Sequence, residues 1–167
     1  WIAKAYAAGQ VAFDTETDAL SSSDAGLCGI SLAVAPGEAC YIPVGHCEAE
    51  GLALEAPADL VQIELDEVLA KLKPLFEDPS ILKIAQNAKY DMAVLSRHGV
   101  DVAPIEDTML ISYALDGGLY KSHGMDELAK LWLDHEPIAF KTVAGAGKAQ
   151  KSFKYVGLPE ATCYAAE

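Results

Sequence analysis

This chain is short of positive charge, of paired cysteines and of long apolar runs. Only 12 of its 167 residues are Lys or Arg, against 25 Asp or Glu, giving a formal net charge of −13. A passive nucleic-acid binder carries a basic footprint, so this balance argues against simple electrostatic binding to a polyanion. No apolar run approaches the roughly 18 residues that a helical membrane span needs. Cys28, Cys40, Cys47 and Cys163 show no C-x-x-C spacing, and none lies near a histidine in a zinc pattern. They read as thiols of a reducing cytosol, so a cytoplasmic location is expected. His46, His98, His123 and His135 are scattered and read as structural. No internal repeat or low-complexity segment occurs.

What is present is ordinary for a globular fold: 51% hydrophobic and 22% charged residues, in a length that suits one domain covering 1–167 with a real core. The chain opens on Trp1 and stops on Glu167 in a helical pattern, which we read as a fragment of a longer protein cut within its last helix. The charge is uneven. From Pro137 through Pro159 there is no acidic residue, while Lys141, Lys148, Lys151 and Lys154 are present. A local reversal of sign in an acidic chain marks this stretch as a candidate contact for a polyanion.

Hydrophobic periodicity predicts the elements. Residues 1–9 form the tail of a helix closed by Gly9. Strands follow over 10–17, 27–35 and 38–44, the last two a hairpin about Pro36-Gly37. Residues 45–62 read as loop. Leu65, Val68, Leu69, Leu72, Leu75 and Phe76 recur at helical spacing and predict a helix over 63–78. Then come a buried strand over 81–85, a helix over 87–97 and a short strand within 100–105. A helix capped by Asp107 runs to Leu115, and another covers 125–133 with Leu128, Leu131 and Trp132 at its apolar positions. Residues 135–156 read as a long loop, and Pro159 opens a final helix. This order implies an α/β fold with a mixed sheet and helices on both faces.

The chemistry-bearing stretch is Val11-Ala12-Phe13-Asp14-Thr15-Glu16-Thr17. On a strand, residues i and i+2 share a face, so Asp14 and Glu16 stand side by side at its end. Adjacent carboxylates repel and resist burial unless a cation lies between them, and hard divalent ions such as Mg²⁺ take oxygen ligands of this kind. Asp91 falls on the first turn of the helix after strand 81–85. That strand should run parallel to the first, and sites in such sheets form at the carboxyl ends of strands, so Asp91 is expected to converge on Asp14 and Glu16. Tyr164 in the terminal helix is a further candidate.

FDTETDAL, IAQNAKYDMAVL and the closing YAAE, in this order, with YIPVGH, EDTMLISYAL, MDELAKLWL and AGAGKAQ between them, resemble the 3′–5′ proofreading exonuclease domain of bacterial DNA polymerase I. That domain belongs to the DnaQ-like superfamily. The resemblance covers essentially the whole chain. It implies a ribonuclease H-like mixed five-stranded sheet, an antiparallel hairpin joined to parallel strands, and two divalent metal ions, Mg²⁺ or Mn²⁺. It implies that Asp14 bridges the ions, Glu16 holds the one that activates water, Asp91 acts on the second, and Tyr164 orients the attacking water. The family's fourth carboxylate would follow YAAE. By the same resemblance Leu20 wedges against a terminal base with Phe140 as its aromatic partner. Thr15, Gln86, Asn87 and Tyr90 line the strand's path, and Lys121 meets a phosphate; Lys141 and Lys148, in the stretch of reversed charge, are expected to meet others. The resemblance departs here: a family enzyme has an arginine shortly before its His-x-Met-Asp, whereas Lys121-Ser122 precedes His123-Gly124-Met125-Asp126 in this chain, and lysine offers a point charge without the bidentate fork. The expected partners are a single-stranded DNA 3′ end and a covalently linked polymerase domain, the chain acting as a monomer. Two other readings share this pattern: an exoribonuclease of the RNase D type, and a non-catalytic exonuclease-like module.

Overall fold

The computed structural model describes residues 1–47 and 61–167, so most of the loop expected over 45–62 lies outside the described residues. Strand β1 (Gln10–Thr17) is the centre of a five-stranded sheet ordered β3-β2-β1-β4-β5. On one side β2 (Leu27–Ala35) and β3 (Glu38–Pro43) run antiparallel as a hairpin. On the other, β4 (Leu82–Ala85) and β5 (Ile105–Asp107) run parallel. This is the mixed sheet expected from the sequence.

The two faces of β1 meet different surroundings. Val11, Phe13 and Thr15 are buried on one face, where α1 (Ile2–Ala8), α2 (Leu65–Glu77) and α3 (Ala88–Ser96) complete the main core. Val68, Leu69, Leu72, Leu75 and Phe76 of α2 are all buried, and the Phe13 and Phe76 rings sit 5.0 Å apart. Each such side chain contributes about 1.5–3 kcal/mol by leaving water. The other face carries Asp14 and Glu16. In the ladders Asp14 pairs with Ser31 and Ser31 with Tyr41, so Tyr41 shares that face. There Cys28, Tyr41, Ala144, Phe153, Val156 and Ala161 make a second core beneath α6 (Phe140–Ala144) and α7 (Leu158–Ala165). The Tyr41 hydroxyl would lie 2.2 Å from any Cβ at position 29, which is why a glycine stands there.

Three expectations are corrected. The short strand is at 105–107 rather than within 100–105. Val100 and Val102 are buried in the main core, and Pro104, with no N–H, only accepts from Lys83, so the ladder begins at Ile105. The loop over 135–156 is not structureless: it contains α6 and two 3₁₀ turns, Gly147–Ala149 and Phe153–Tyr155. Phe153, only 2% exposed, anchors it. Finally, α5 (Met125–Leu133) forms where expected, but its Leu131 and Trp132 remain 49% and 63% exposed. With Leu110, Tyr113 and Leu115 of α4 (Thr108–Asp116), they form apolar surface that no described residue covers. Among the described residues no helix is long and apolar enough to cross a membrane.

Candidate active site

Asp14 and Glu16 open into a cleft of about 380 Å³ at the carboxyl end of β1. Gln86, Thr108, Met125, Asp126, His135, Tyr164 and Glu167 also line it. Burial and the nearby charge of Asp91 push the Asp14 carboxyl up to about 7. Burial, then the charges of Asp14 and Asp91, push Glu16 up to about 8. Among the described residues no ion pair involves any of the three. Acids this buried, mutually repelling and without a cationic partner are uncompensated as they stand.

Asp91 is 2% exposed on the first turn of α3. Its Oδ1 accepts the Thr15 amide at 3.0 Å and the Thr15 hydroxyl at 2.5 Å. Thr15 lies on the face of β1 opposite Asp14 and Glu16, so Asp91 approaches the strand's end from the other side of the sheet. Its charge reaches both acids, yet it is not among the walls of the cleft. Among the described residues no three Asp, Glu, His or Cys side chains are grouped as a metal centre. Thr15 itself, expected on the nucleic-acid path, is 6% exposed and turned to Asp91. In this structure its amide and hydroxyl position Asp91.

Tyr164 reaches the cleft from α7, its ring packed 6.0 Å from Phe140 and 5.7 Å from Phe153. Burial and the charges of Glu16, Asp14 and Asp126 push its hydroxyl up to about 12, so it stays a neutral phenol. Phe140, expected as the aromatic partner of Leu20, is half-buried in this cluster, also stacked on Phe153 at 6.2 Å. Glu167 closes the far end, accepting from the Ile138 amide at 2.7 Å and lying 3.0 Å from His135 Nε2.

The remaining candidates separate by what they touch. Leu20 is 98% exposed. Gln86 lines the cleft, with its amide donating to the His123 carbonyl at 2.8 Å and its oxygen accepting from Thr108. Asn87 is exposed with φ 58, its own amide donating to Asp107. The Tyr90 hydroxyl donates to the Ala19 carbonyl at 2.7 Å, which holds the loop that carries Leu20. Lys121, Lys141 and Lys148 are exposed, with no acidic partner among the described residues.

Sequence reasoning missed two positioning residues. One is Thr15 in its role on Asp91. The other is Asp107, whose carboxylate caps α4 through Met109 and Leu110 and also accepts from the Asn87 and Ala88 amides at the start of α3. The Asp-Thr at the start of a helix signals the first cap but not the second, which depends on the β4–β5 pairing.

The model of a family described as 3′–5′ exonuclease matches residues 1–167. DNA polymerase I of Rhizobium leguminosarum is 46% identical over 176 residues, covering 100% of this chain and 17% of the relative. DNA polymerase I of Pseudomonas aeruginosa is 41% identical over 170 residues, again over 100% of this chain and 18% of the relative. The chain thus spans about a sixth of the length of these relatives. Among solved structures, Brucella melitensis NrnC with bound Mg²⁺ superposes with a TM-score of 0.60 at 26% identity, covering 81% of this chain and 58% of that one. Escherichia coli RNase D shares the fold, with a TM-score of 0.60 at 18% identity over 98% of this chain and 38% of its own.

Proposed function

The chain belongs to the 3′–5′ exonuclease family represented in DNA polymerase I, and from that premise we propose that its cleft hydrolyses the terminal phosphodiester of a single-stranded or frayed DNA 3′ end. The products are nucleoside 5′-monophosphates, released one at a time, as in proofreading beside a covalently linked polymerase domain. The observation that carries this reading is the uncompensated pair Asp14 and Glu16 facing Tyr164 across one cleft.

The donor set is two hard-oxygen carboxylates with no basic partner among the described residues, which suits Mg²⁺ or Mn²⁺. Asp14 and Glu16 would hold the ions, with Asp91 completing the charge from the far side of β1. Bound there, such ions would neutralise the scissile phosphate and acidify a water. The chain's own groups then divide the work. Water oxygen attacks phosphorus, the P–O3′ bond breaks, and the leaving 3′ oxygen takes a proton. Tyr164 stays protonated at neutral pH, so it orients the water through its hydroxyl and does not act as a base. Thr15 fixes Asp91. Leu20 and the Phe140 edge hold the terminal base by apolar contact that reads no sequence. Gln86 and Asn87 flank the strand's path, Tyr90 acts by holding the Leu20 loop, and Lys121, Lys141 and Lys148 meet its phosphates.

The test follows shortening of 5′-labelled single-stranded DNA and RNA of one sequence, with Mg²⁺ and with a chelator. Stepwise loss from the DNA 3′ end that stops in chelator is expected. Shortening that survives the chelator would overturn the metal assignment, and faster loss from RNA would move the chain to the RNase D type of substrate.

A further inference from the structure

The loop between β1 and β2 presents Leu20 almost free of contact, yet its backbone is tied down. Asp18 closes the base, its amide donating to the Gly26 carbonyl at 3.0 Å and its Oδ1 accepting from the Gly26 amide at 2.7 Å. The near half is held by Tyr90 on Ala19. The far half is held by Arg97, the only arginine in the chain. Its Nη1 donates to the Ser22 carbonyl at 3.1 Å and the Ala25 carbonyl at 2.6 Å. Among the described residues it is the one side chain from outside the loop that bonds to residues 21–25. Arg97 caps the end of α3, the helix that also carries Tyr90 and Asp91.

We propose that Arg97 is a positioning residue for terminal-base binding, clamping the loop between β1 and β2 so that Leu20, exposed on it, is presented in one position. The inference rests on the reading of Leu20 as the apolar contact for that base. Without Arg97 the far half keeps only its own turn, in which the Asp24 and Ala25 amides donate to the Ser21 carbonyl, and has no side-chain tie to α3; ordering a looser loop on binding costs affinity, and a clamp made beforehand lowers that cost. Both bonds come from one guanidinium nitrogen, Nη1, which reaches two carbonyls in different parts of one turn. Tyr90 and Arg97 thus tie the loop to α3, the helix that also carries Asp91.

Exonuclease kinetics on a single-stranded DNA oligonucleotide test this, with KM and kcat read separately in four proteins: wild type, Leu20→Ala, Arg97→Met and the double variant. Arg97 is exposed, so its loss leaves the core intact. Leu20→Ala should raise KM by about fivefold or more, the low end of what one base contact contributes. Arg97→Met should raise KM in the same direction with a smaller change in kcat, and should add less than about twofold once Leu20 is gone. Arg97→Lys should recover part of the loss. A raised KM in Leu20→Ala with an unchanged KM in Arg97→Met overturns the clamp alone. Equal effects of Arg97→Met in both backgrounds also overturn it, because the residue would then act through the fold. An unchanged KM in Leu20→Ala overturns the base-contact reading and the clamp with it.

Discussion

Lys83 pairs with Val11 in the β1–β4 ladder, on the strand that ends in Asp14 and Glu16, and both sites place charge inside the fold. Lys83 is fully buried, and its ammonium donates to the carbonyls of Asp78, Ile81 and Ala103 at 2.7, 2.7 and 2.5 Å. An ammonium has three donors, and all three are used. Asp14 and Glu16 lie against each other and against the charge of Asp91 with no cation among the described residues. The satisfied charge is fold architecture: it ties the turn before β4 to the turn before β5. The unsatisfied pair costs the fold stability, in keeping with the proposed binding of divalent cations there.

Substitutions at the two sites should therefore fail in opposite ways. The largest effect is expected from Asp14→Ala, which should abolish measurable release of nucleotides in a gel assay while circular dichroism shows an intact fold. Wild-type rates in that variant would break the contrast. Next, Tyr164→Phe keeps the ring against Phe140 and Phe153 but removes the hydroxyl; kcat should fall by about 10²-fold with KM little changed, as for loss of one preorganised donor. Lys83→Met keeps the stem but removes the donor to three carbonyls, of which the bond to Ile81 is buried and those to Asp78 and Ala103 part-buried. Its unfolding free energy in urea should drop by about 1–3 kcal/mol with activity per folded molecule retained. A loss of activity at full stability would mean that Lys83 serves the cleft. The smallest effect separates Phe140 from its neighbours: Phe140→Ala should weaken binding of a DNA 3′ end by about 1 kcal/mol, and Phe140→Leu by less, in a fluorescence titration.

The same contrast shows what was legible in the sequence. The strand 10–17, the hairpin, α2 and the start of α7 are written in local pattern and turn residues, and they appear within a residue or two of expectation. Asp14 and Glu16 were legible because period two is a property of one strand. Asp91 was legible as a residue but not in its approach. Its bond to Thr15 joins positions 76 apart, and no local pattern encodes which face of β1 it comes from. Phe153 was hidden for a related reason: it lies in a Gly, Ala and Lys stretch without helical or strand periodicity, and its burial depends on Tyr41 and Ala161 arriving from elsewhere. Lys83 read as one more charge on a strand, since its three acceptors come from turns on either side of the sheet edge. The Asp107 cap in α4 and the periodicity in α5 marked true helices, but an apolar face does not say whether or by what it is covered.

The central claim, that Asp14 and Glu16 hold uncompensated charge awaiting a cation, has a direct thermodynamic test. Their carboxyls rise from the ordinary 3.8 and 4.5 to about 7 and about 8 in the folded chain. The folded state then binds more protons than the unfolded one across that window, so metal-free stability falls as pH rises from about 4 to about 8. Asp14→Asn removes one of the two charges and relieves the other. The measurement is the thermal midpoint of wild type and Asp14→Asn in chelator from pH 5 to pH 8, repeated at pH 8 with Mg²⁺. The account predicts that the variant is more stable at pH 8 in chelator, by roughly 2–4 °C for each kcal/mol of relieved repulsion, and that its advantage shrinks toward pH 5. It also predicts that Mg²⁺ raises the wild-type midpoint and leaves the variant's nearly unmoved. A variant less stable than wild type at pH 8 in chelator, or an equal rise of both with Mg²⁺, would contradict it.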